Sequence, residues 1–204
     1  MHPPNKPNVK KPPGHLALLS LLLALLALAA LLVFVRRPGH SLAFDTLHPH
    51  TQQALRKLGV VPGRVAQGLG LAPASAGIHG IDGWVDHRPY CAAFDLDVSD
   101  MTPAQTAALL HRMRGAGLVC WWRVPGVSFP VTTRVGIETG PHVHGIDPFV
   151  PHKRRLELQV RDYLAGDNGI EVGRYAHRPD PPAACPQTAA ERGTLRRLLR
   201  LAAR

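Results

Sequence analysis

The interpretation of this chain depends on one stretch, Gly140-Pro141-His142-Val143-His144-Gly145-Ile146-Asp147, which places two histidines two residues apart in a strand-like run. In an extended strand, such side chains project from the same face, roughly 7 Å apart. One imidazole can therefore bind a metal ion while the other faces whatever the metal activates. The alternative is coincidence, because a chain with 12 His can contain an HxH motif by chance.

Candidate partners for a metal site lie upstream, in residues 77–97, which contain His79 and His87 and have an acidic end, Asp95-Leu96-Asp97. Two imidazoles, one carboxylate and an open position are typical of a catalytic zinc site, whereas structural zinc sites close all four positions, usually with cysteine. The three cysteines are widely spaced and form no CxxC motif, which excludes a thiol-rich zinc ribbon. The pattern therefore favours a catalytic over a structural metal site.

Local patterns along the chain predict an α+β domain with a small antiparallel sheet and flanking helices. Thr102 followed by Pro103 is typical of a helix start, and Thr188-Ala189-Ala190-Glu191 is a capping box. We predict helices at 51–58 (capped by Thr51), at 102–113, from 151 to the Asn168-Gly169 pair, and after Thr188. We predict strands at 77–85, 90–98, 118–124 and 140–147, with loops at 60–76 and 125–136.

Residues 16–35 form an unbroken apolar run in which only Ser20 is polar, long enough to cross a bilayer as a helix. A cleaved signal peptide is the alternative, with Ala27-Leu28-Ala29 as a small-x-small site, but the run exceeds a signal-peptide core. The chain thus divides into a disordered basic N-terminus (1–15), a transmembrane signal-anchor (16–35), a linker (36–50), a folded domain (51–170) and a Pro-rich link with a basic helix (171–204). Flanking charges favour a domain outside the cytoplasm.

The net charge of +10 raises the question of nucleic-acid binding. Residues 1–37 hold five basic and no acidic side chains, residues 38–170 hold 12 and 11, and residues 171–204 hold seven and three. The excess lies at the two ends, where anionic lipid or a wall polymer is the simpler partner. We therefore expect no nucleic-acid binding. The C-terminal helix either lies on the membrane surface or packs on its own domain with its arginines solvated.

The cysteines leave two alternatives. If the domain is exported, one disulfide is permitted, and Cys91 with Cys120 is the preferred pair because both lie in strand-like runs. Three unpaired thiols are the other alternative.

The order of a His, an Ala-x-Asp run, a helix, a Trp-bearing strand and an HxH motif resembles the zinc peptidases of the Hedgehog/D-Ala-D-Ala-peptidase fold. These include D,D-carboxypeptidases, lysostaphin-like endopeptidases and phage endolysins. The similarity covers roughly residues 45–170 and rests on Ala93-Phe94-Asp95 and His142-Val143-His144. Residues 90–96 and 164–169 are also similar to a branch of exported bacterial proteins of this fold.

The resemblance implies a zinc ion held by one upstream histidine, by Asp95 and by His144, with His142 beside it as an acid/base or transition-state-stabilising group. It also implies a peptidoglycan-type peptide as substrate and a bacterial cell membrane as location. An arginine near the site, Arg88 or Arg123, would bind a substrate carboxylate.

The chain departs from the family pattern at two positions. Arg88 occupies the place of the first histidine, so either His87 binds the metal with a one-residue bulge, or His79 does with a longer loop. We favour His79, since Gly77-Ile78-His79 lies in an apolar run. Pro141 occupies the place of a glutamate base. Glu138 lies further upstream, and His142 is the nearer candidate.

Overall fold

The structure is a computed structural model that describes residues 41–70, 76–132, 138–170 and 176–204, all within one compact unit. The predicted transmembrane segment 16–35 and the N-terminal 1–15 lie outside the described residues. Within the described ranges, no helix has both the length and the apolar character needed to cross a membrane.

The described residues form an α+β fold with a small antiparallel sheet and flanking helices, as predicted. The helices are α1 (Leu42–Asp45), α2 (Pro49–Lys57), α3 (Ala76–His79), α4 (Pro103–Gly115), α5 (Arg154–Ala165) and α6 (Ala189–Ala202). The strands are β1 (Val65–Gln67), β2 (Gly83–Val85), β3 (Arg88–Tyr90), β4 (Ala93–Asp97), β5 (Val119–Arg123) and β6 (His142–Ile146), and short 3₁₀ turns lie at Pro62–Arg64 and Pro182–Ala184. The sheet has the order β1-β4-β6-β5, and β2 and β3 form a separate hairpin.

The two faces of the sheet pack against different helices, because side chains alternate along each strand. One face contributes Phe94, Leu96 and Val143 to a core that includes residues of α1, α2 and α4. The other face contributes Ala93, Val119, Trp121 and Ile146 to a second core with residues of α5 and α6. The second face also carries Asp95 and His144 beside this core. The candidate metal site therefore lies on the sheet face that also contributes side chains to the second core.

Two predicted helices begin where their caps indicate. The Thr102 side chain accepts from the Gln105 backbone N–H and Pro103 opens α4, while Thr188 and Glu191 form the reciprocal capping box of α6. Both patterns are local, so they act whatever the rest of the chain does.

Several element predictions differ from the structure in type or in bounds. The predicted strand at 77–85 is instead helix α3 followed by a strand that begins only at Gly83. The predicted loop at 60–76 contains β1, which pairs with β4. The helix predicted from 151 to the Asn168-Gly169 pair instead begins at Arg154 and ends at Ala165. Its C-cap is Gly166, whose φ of 102° is the left-handed conformation that glycine adopts without strain.

The helix predicted at 51–58 begins earlier, at Pro49, with His48 as its cap. Thr51 does not cap this helix, because it is the third residue inside it, and its hydroxyl donates to the buried Asp147 carboxylate at 2.8 Å. The Thr51 side chain, which the local pattern assigned to capping, instead forms a long-range hydrogen bond with Asp147.

The segments on either side of the predicted domain contribute to its core. Phe44 and Leu47, in the segment predicted as a linker, are buried in the first core. Leu195 of α6 is buried in the second core, so the basic helix packs on its own domain while Arg196, Arg197 and Arg200 stay exposed.

The preferred Cys91–Cys120 disulfide is wrong, since all three cysteines are free. Cys91 belongs to the second core and Cys120 to the first, so the two thiols pack into different clusters. Burial raises the pKa of each to about 12.

Candidate metal centre

The centre is built first from two neighbouring strands. Asp95 on β4 and His144 on β6 are direct partners in the antiparallel register, so their side chains leave the same face at one level. His144 Nδ1 lies 2.8 Å from Asp95 Oδ1. The strand register alone therefore places the carboxylate against one imidazole.

The third member comes from the end of α3. His79 Nε2 lies 3.1 Å from Asp95 Oδ2, and the His79 and His144 ring centroids are 5.6 Å apart. One ligand atom from each of the three residues lies within 4.8 Å of the others. The structure thus brings together the three side chains that sequence reasoning assigned to a metal.

The hydrogen bonds on the outer side of each ring determine its tautomer. His79 Nδ1 lies 3.1 Å from the Gly68 carbonyl oxygen, and His144 Nε2 lies 3.2 Å from Gln159 Oε1. The Gln159 amide is oriented by its own donation to the Gly169 carbonyl. Because these oxygens only accept, the outer nitrogens must donate, and each neutral ring turns a lone pair towards Asp95.

Two lone pairs facing a carboxylate repel one another unless a cation lies between them. Two added protons are one solution, but burial lowers the pKa of His144 despite the neighbouring Asp95. Burial acts to raise the pKa of Asp95, but positive charge on the His79 and His144 rings and the hydrogen bonds that they would then donate outweigh it and hold this pKa well below its usual range. The carboxylate therefore calls for positive charge between itself and the two rings. A divalent ion satisfies all three groups at once, and two imidazole nitrogens with one carboxylate are a donor set that suits zinc.

Trp121 forms one wall of the centre. Its ring stacks on His144, with centroids 6.0 Å apart and planes at 15°, and its Nε1 donates to the Asp167 carbonyl. Because Trp121 is fully buried, it limits the rotation of the His144 imidazole.

The alternative ligand His87 lies elsewhere. It is exposed, and with Asp86 it forms the turn between β2 and β3, where both residues have positive φ, 48° and 62°. Two such residues in a two-residue loop are typical of a tight hairpin. The hairpin therefore takes His87 out of the cluster, and the structure places His79 there.

His142 lies outside the three-residue cluster but on the same face of β6. It is half-buried, its Nδ1 lies 2.8 Å from the Gly140 carbonyl oxygen, and its ring meets Phe129 edge to face. The residue that pairs with His142 on the neighbouring strand β5 is Arg123. The other candidate base, Glu138, is exposed.

Arg123 is a buried cation beside the centre, whereas Arg88 is exposed on β3. Burial lowers the pKa of Arg123 to about 10, although Asp180 and Asp95 oppose this. One of its terminal nitrogens has no hydrogen-bond partner. Both oxygens of the buried Asp180 also lack one, and burial raises its pKa to about 6.

Sequence reasoning missed Gln159, which holds His144 in place. A signal was present, because Gln159 lies in the apolar stripe of α5 with Leu156, Val160 and Tyr163, all buried. A polar residue in such a stripe needs a buried partner.

Comparisons of the chain with protein families, with curated proteins and with solved structures give no match.

Proposed function

We propose that this protein is a membrane-anchored zinc-dependent peptidase, a carboxypeptidase or endopeptidase, that acts on cell-wall peptide or a similar short peptide. The observation that carries the proposal is the convergence of His79, Asp95 and His144 with their lone pairs directed inwards. The apolar run 16–35 supports the anchor, and the HxH and Ala-x-Asp resemblance supports the substrate class.

In this proposal His79, Asp95 and His144 hold the zinc ion, which when bound supplies Lewis-acid activation of a water molecule and of the scissile carbonyl. His142 supplies the proton transfer. Because the Gly140 carbonyl can only accept, His142 Nδ1 donates to it, and Nε2 keeps a lone pair. That nitrogen takes the proton of the attacking water and returns it to the leaving amine.

Arg123 binds the substrate carboxylate in this proposal. It is the register partner of His142 on the adjacent strand β5, and its buried Nη1 is a donor without a hydrogen-bond partner. A guanidinium suits a carboxylate because its donors match both oxygens.

A catalytically inactive wall- or peptide-binding module of the same fold is the second candidate. One observation favours it: His79 and His144 are only 4% and 5% exposed, so little of the cluster faces solvent. A substrate carbonyl must reach the metal for turnover, whereas a structural ion needs no such access.

The test uses the purified full-length chain. We expect about one zinc ion per chain by elemental analysis, loss of that zinc in His79→Ala and His144→Ala, and retention in the matched variant His87→Ala. If the wild type contains no zinc, the proposal is wrong, and the chain is instead a structural membrane protein whose histidines bind no metal.

Turnover on muropeptides separates the two candidates. We expect hydrolysis that a chelator abolishes, and we expect His142→Ala to keep its zinc while losing about 10²–10⁴-fold in rate. A zinc-loaded wild type that binds muropeptides without cleaving them supports the binding module. Full activity in His142→Ala contradicts the role of that residue.

A further inference from the structure

A second reactive arrangement surrounds Cys185, which is independent of the metal centre and shares no residue with it. Cys185 follows the 3₁₀ turn Pro182–Ala184 and is half-buried, in contrast to the buried Cys91 and Cys120. Its φ of 49° lies in the left-handed region. This thiol is therefore the accessible one of the three.

A histidine faces the sulfur with its acceptor nitrogen. His111 Nε2 on α4 lies 3.7 Å from Cys185 Sγ, while His111 Nδ1 lies 2.7 Å from Glu191 Oε1 on α6. Burial acts to raise the pKa of Glu191, but hydrogen bonds from Thr188 and His111 outweigh it and keep this pKa below its usual value. An ionised carboxylate only accepts, so Nδ1 donates to it and Nε2 presents a lone pair to the thiol.

The positively charged guanidinium of Arg114 lies beside the same sulfur. Arg114 is fully buried, and its Nη1 lies 4.0 Å from Cys185 Sγ and 3.6 Å from Glu191 Oε2. Its Nε and Nη2 both donate to the Cys120 carbonyl, at 3.1 and 3.0 Å, so the guanidinium cannot swing away. A cation held at this distance can stabilise the negative charge that develops on the sulfur when His111 takes its proton.

We infer that Cys185, His111 and Glu191 form a nucleophilic thiol site whose substrate class is the soluble disulfide of a low-molecular-weight thiol. The Cys185 thiol gives its proton to His111 Nε2, and the thiolate attacks one sulfur of the disulfide. A new S–S bond joins Cys185 to that sulfur as the old S–S bond breaks, and the departing thiolate takes the proton from His111. The product is a mixed disulfide on Cys185. The Cys185 sulfur is oxidised and the departing sulfur is reduced to a thiol, so the number of S–S bonds is unchanged.

The experiment uses the folded full-length chain and an aromatic disulfide reagent that releases a coloured thiolate. We expect one equivalent to be released in a fast phase, at about tenfold the rate of an unstructured cysteine peptide near pH 6. Peptide mass spectrometry should place the adduct on Cys185, and Cys185→Ser should abolish the fast phase. Cys91 and Cys120 should react only after denaturation.

Two variants test the proposed activation. His111→Gln and Glu191→Gln should slow the fast phase about tenfold at pH 6 to 7 and move its pH profile towards that of a free thiol. His50→Gln is the matched control, because His50 pairs with the Asp147 carboxylate at the same 2.7 Å and is exposed to the same degree, 50% against 52%. We expect it to react like the wild type.

The pH dependence of the Cys185 reaction rate in the wild type tests the inference even if a variant fails to fold. A Cys185 rate that follows the free cysteine peptide from pH 5 to 9 overturns the inference, as does a rate unchanged in a folded His111→Gln variant. A fast phase that maps to Cys91 or Cys120 also overturns it.

Discussion

Single hydrogen bonds assign different tasks to three histidines that lie close together. His79 and His142 donate from Nδ1 to backbone carbonyls, whereas His144 donates from Nε2 to Gln159. The ring nitrogen that takes no part in that donation is therefore Nε2 in the first two rings and Nδ1 in the third. Only in His79 and His144 does that nitrogen face Asp95, which is why His142 is available for proton transfer in the proposed mechanism.

Replacing Gln159 tests this assignment. Gln159→Met keeps the volume but removes the acceptor that orients His144, so we expect zinc affinity to fall about 10–100-fold. Competition with a coloured chelator measures the affinity. Gln53→Met, at an exposed position of α2, is the control and should bind zinc as the wild type does. Equal affinities in both variants would mean that Gln159 has no orienting role.

Asp180 makes the stability of the protein depend on pH. Because burial raises its pKa from 3.8 to about 6, the folded state keeps the proton between pH 4 and 6 while the unfolded state loses it. Its contribution to stability is thus full below pH 4 and is lost as the pH rises through 6. We expect Asp180→Asn, which mimics the neutral acid, to raise the free energy of unfolding by about 2–3 kcal/mol at pH 8.

Denaturant titration of both proteins at pH 4 and at pH 8 measures this effect. At pH 4 the Asp180 carboxyl is largely neutral in the folded state, so the two proteins should differ little there. A difference that is the same at both pH values would contradict the prediction.

At the scale of elements, β6 is one of the two inner strands of the sheet, and its side chains contribute to both faces. It pairs with β4 and with β5, and its alternation sends His142 and His144 to one face and Val143 and Gly145 to the other. Gly145 lies opposite Phe94, whose fully buried ring occupies the space that a side chain at 145 would need. Absence of a side chain at this position therefore permits the register that sets His144 against Asp95.

A pair of glycine variants tests this close approach. In Gly145→Ala the new Cβ would overlap the Phe94 ring, so we expect a loss of about 1–3 kcal/mol in the free energy of unfolding, with weaker zinc binding. In Gly140→Ala the new Cβ meets nothing within 4 Å, and we expect both properties to stay at wild-type levels. Thermal and chemical denaturation measure the stabilities. A tolerated Gly145→Ala would show that the sheet can shift without cost.

At the scale of the whole molecule, the C-terminal helix α6 closes the second core. Its Leu195 is 1% exposed among residues of β5 and α5, whereas Leu201 near its end is 58% exposed. Its Glu191 also takes part in the Cys185 site and accepts from His111. A helix that supplies both a core residue and a site residue is part of the domain.

Two leucine variants separate a packed helix from one held on a membrane. We expect Leu195→Ala to lower the free energy of unfolding by about 2–4 kcal/mol because it leaves a cavity. Leu201→Ala should change it by less than about 0.5 kcal/mol. Denaturation in the presence and absence of anionic vesicles measures both. If Leu195→Ala leaves stability unchanged while Leu201→Ala weakens vesicle binding, the helix acts at the membrane surface instead.

Elements whose signals are local could be predicted without the structure. The capping residues of α4 and α6 lie within four residues of the groups they satisfy, and the HxH alternation of β6 needs only an extended backbone. Helix α3 could not, because a four-residue segment that includes a glycine does not form a helix by local preference alone. Its contacts with β4 and α5 stabilise it instead.

The resemblance to zinc peptidases identified Asp95 and His144 as candidates and the apolar run favoured His79, but the folded chain was needed to decide between His79 and His87. That choice depends on a hairpin that turns His87 outwards and on the Gly68 carbonyl that holds His79 inwards. The folded chain was also needed to show that Cys91 and Cys120 are not paired, because the two side chains pack into different cores. Distances between residues far apart in the chain are set by how whole elements pack, and spacing along the chain does not encode them.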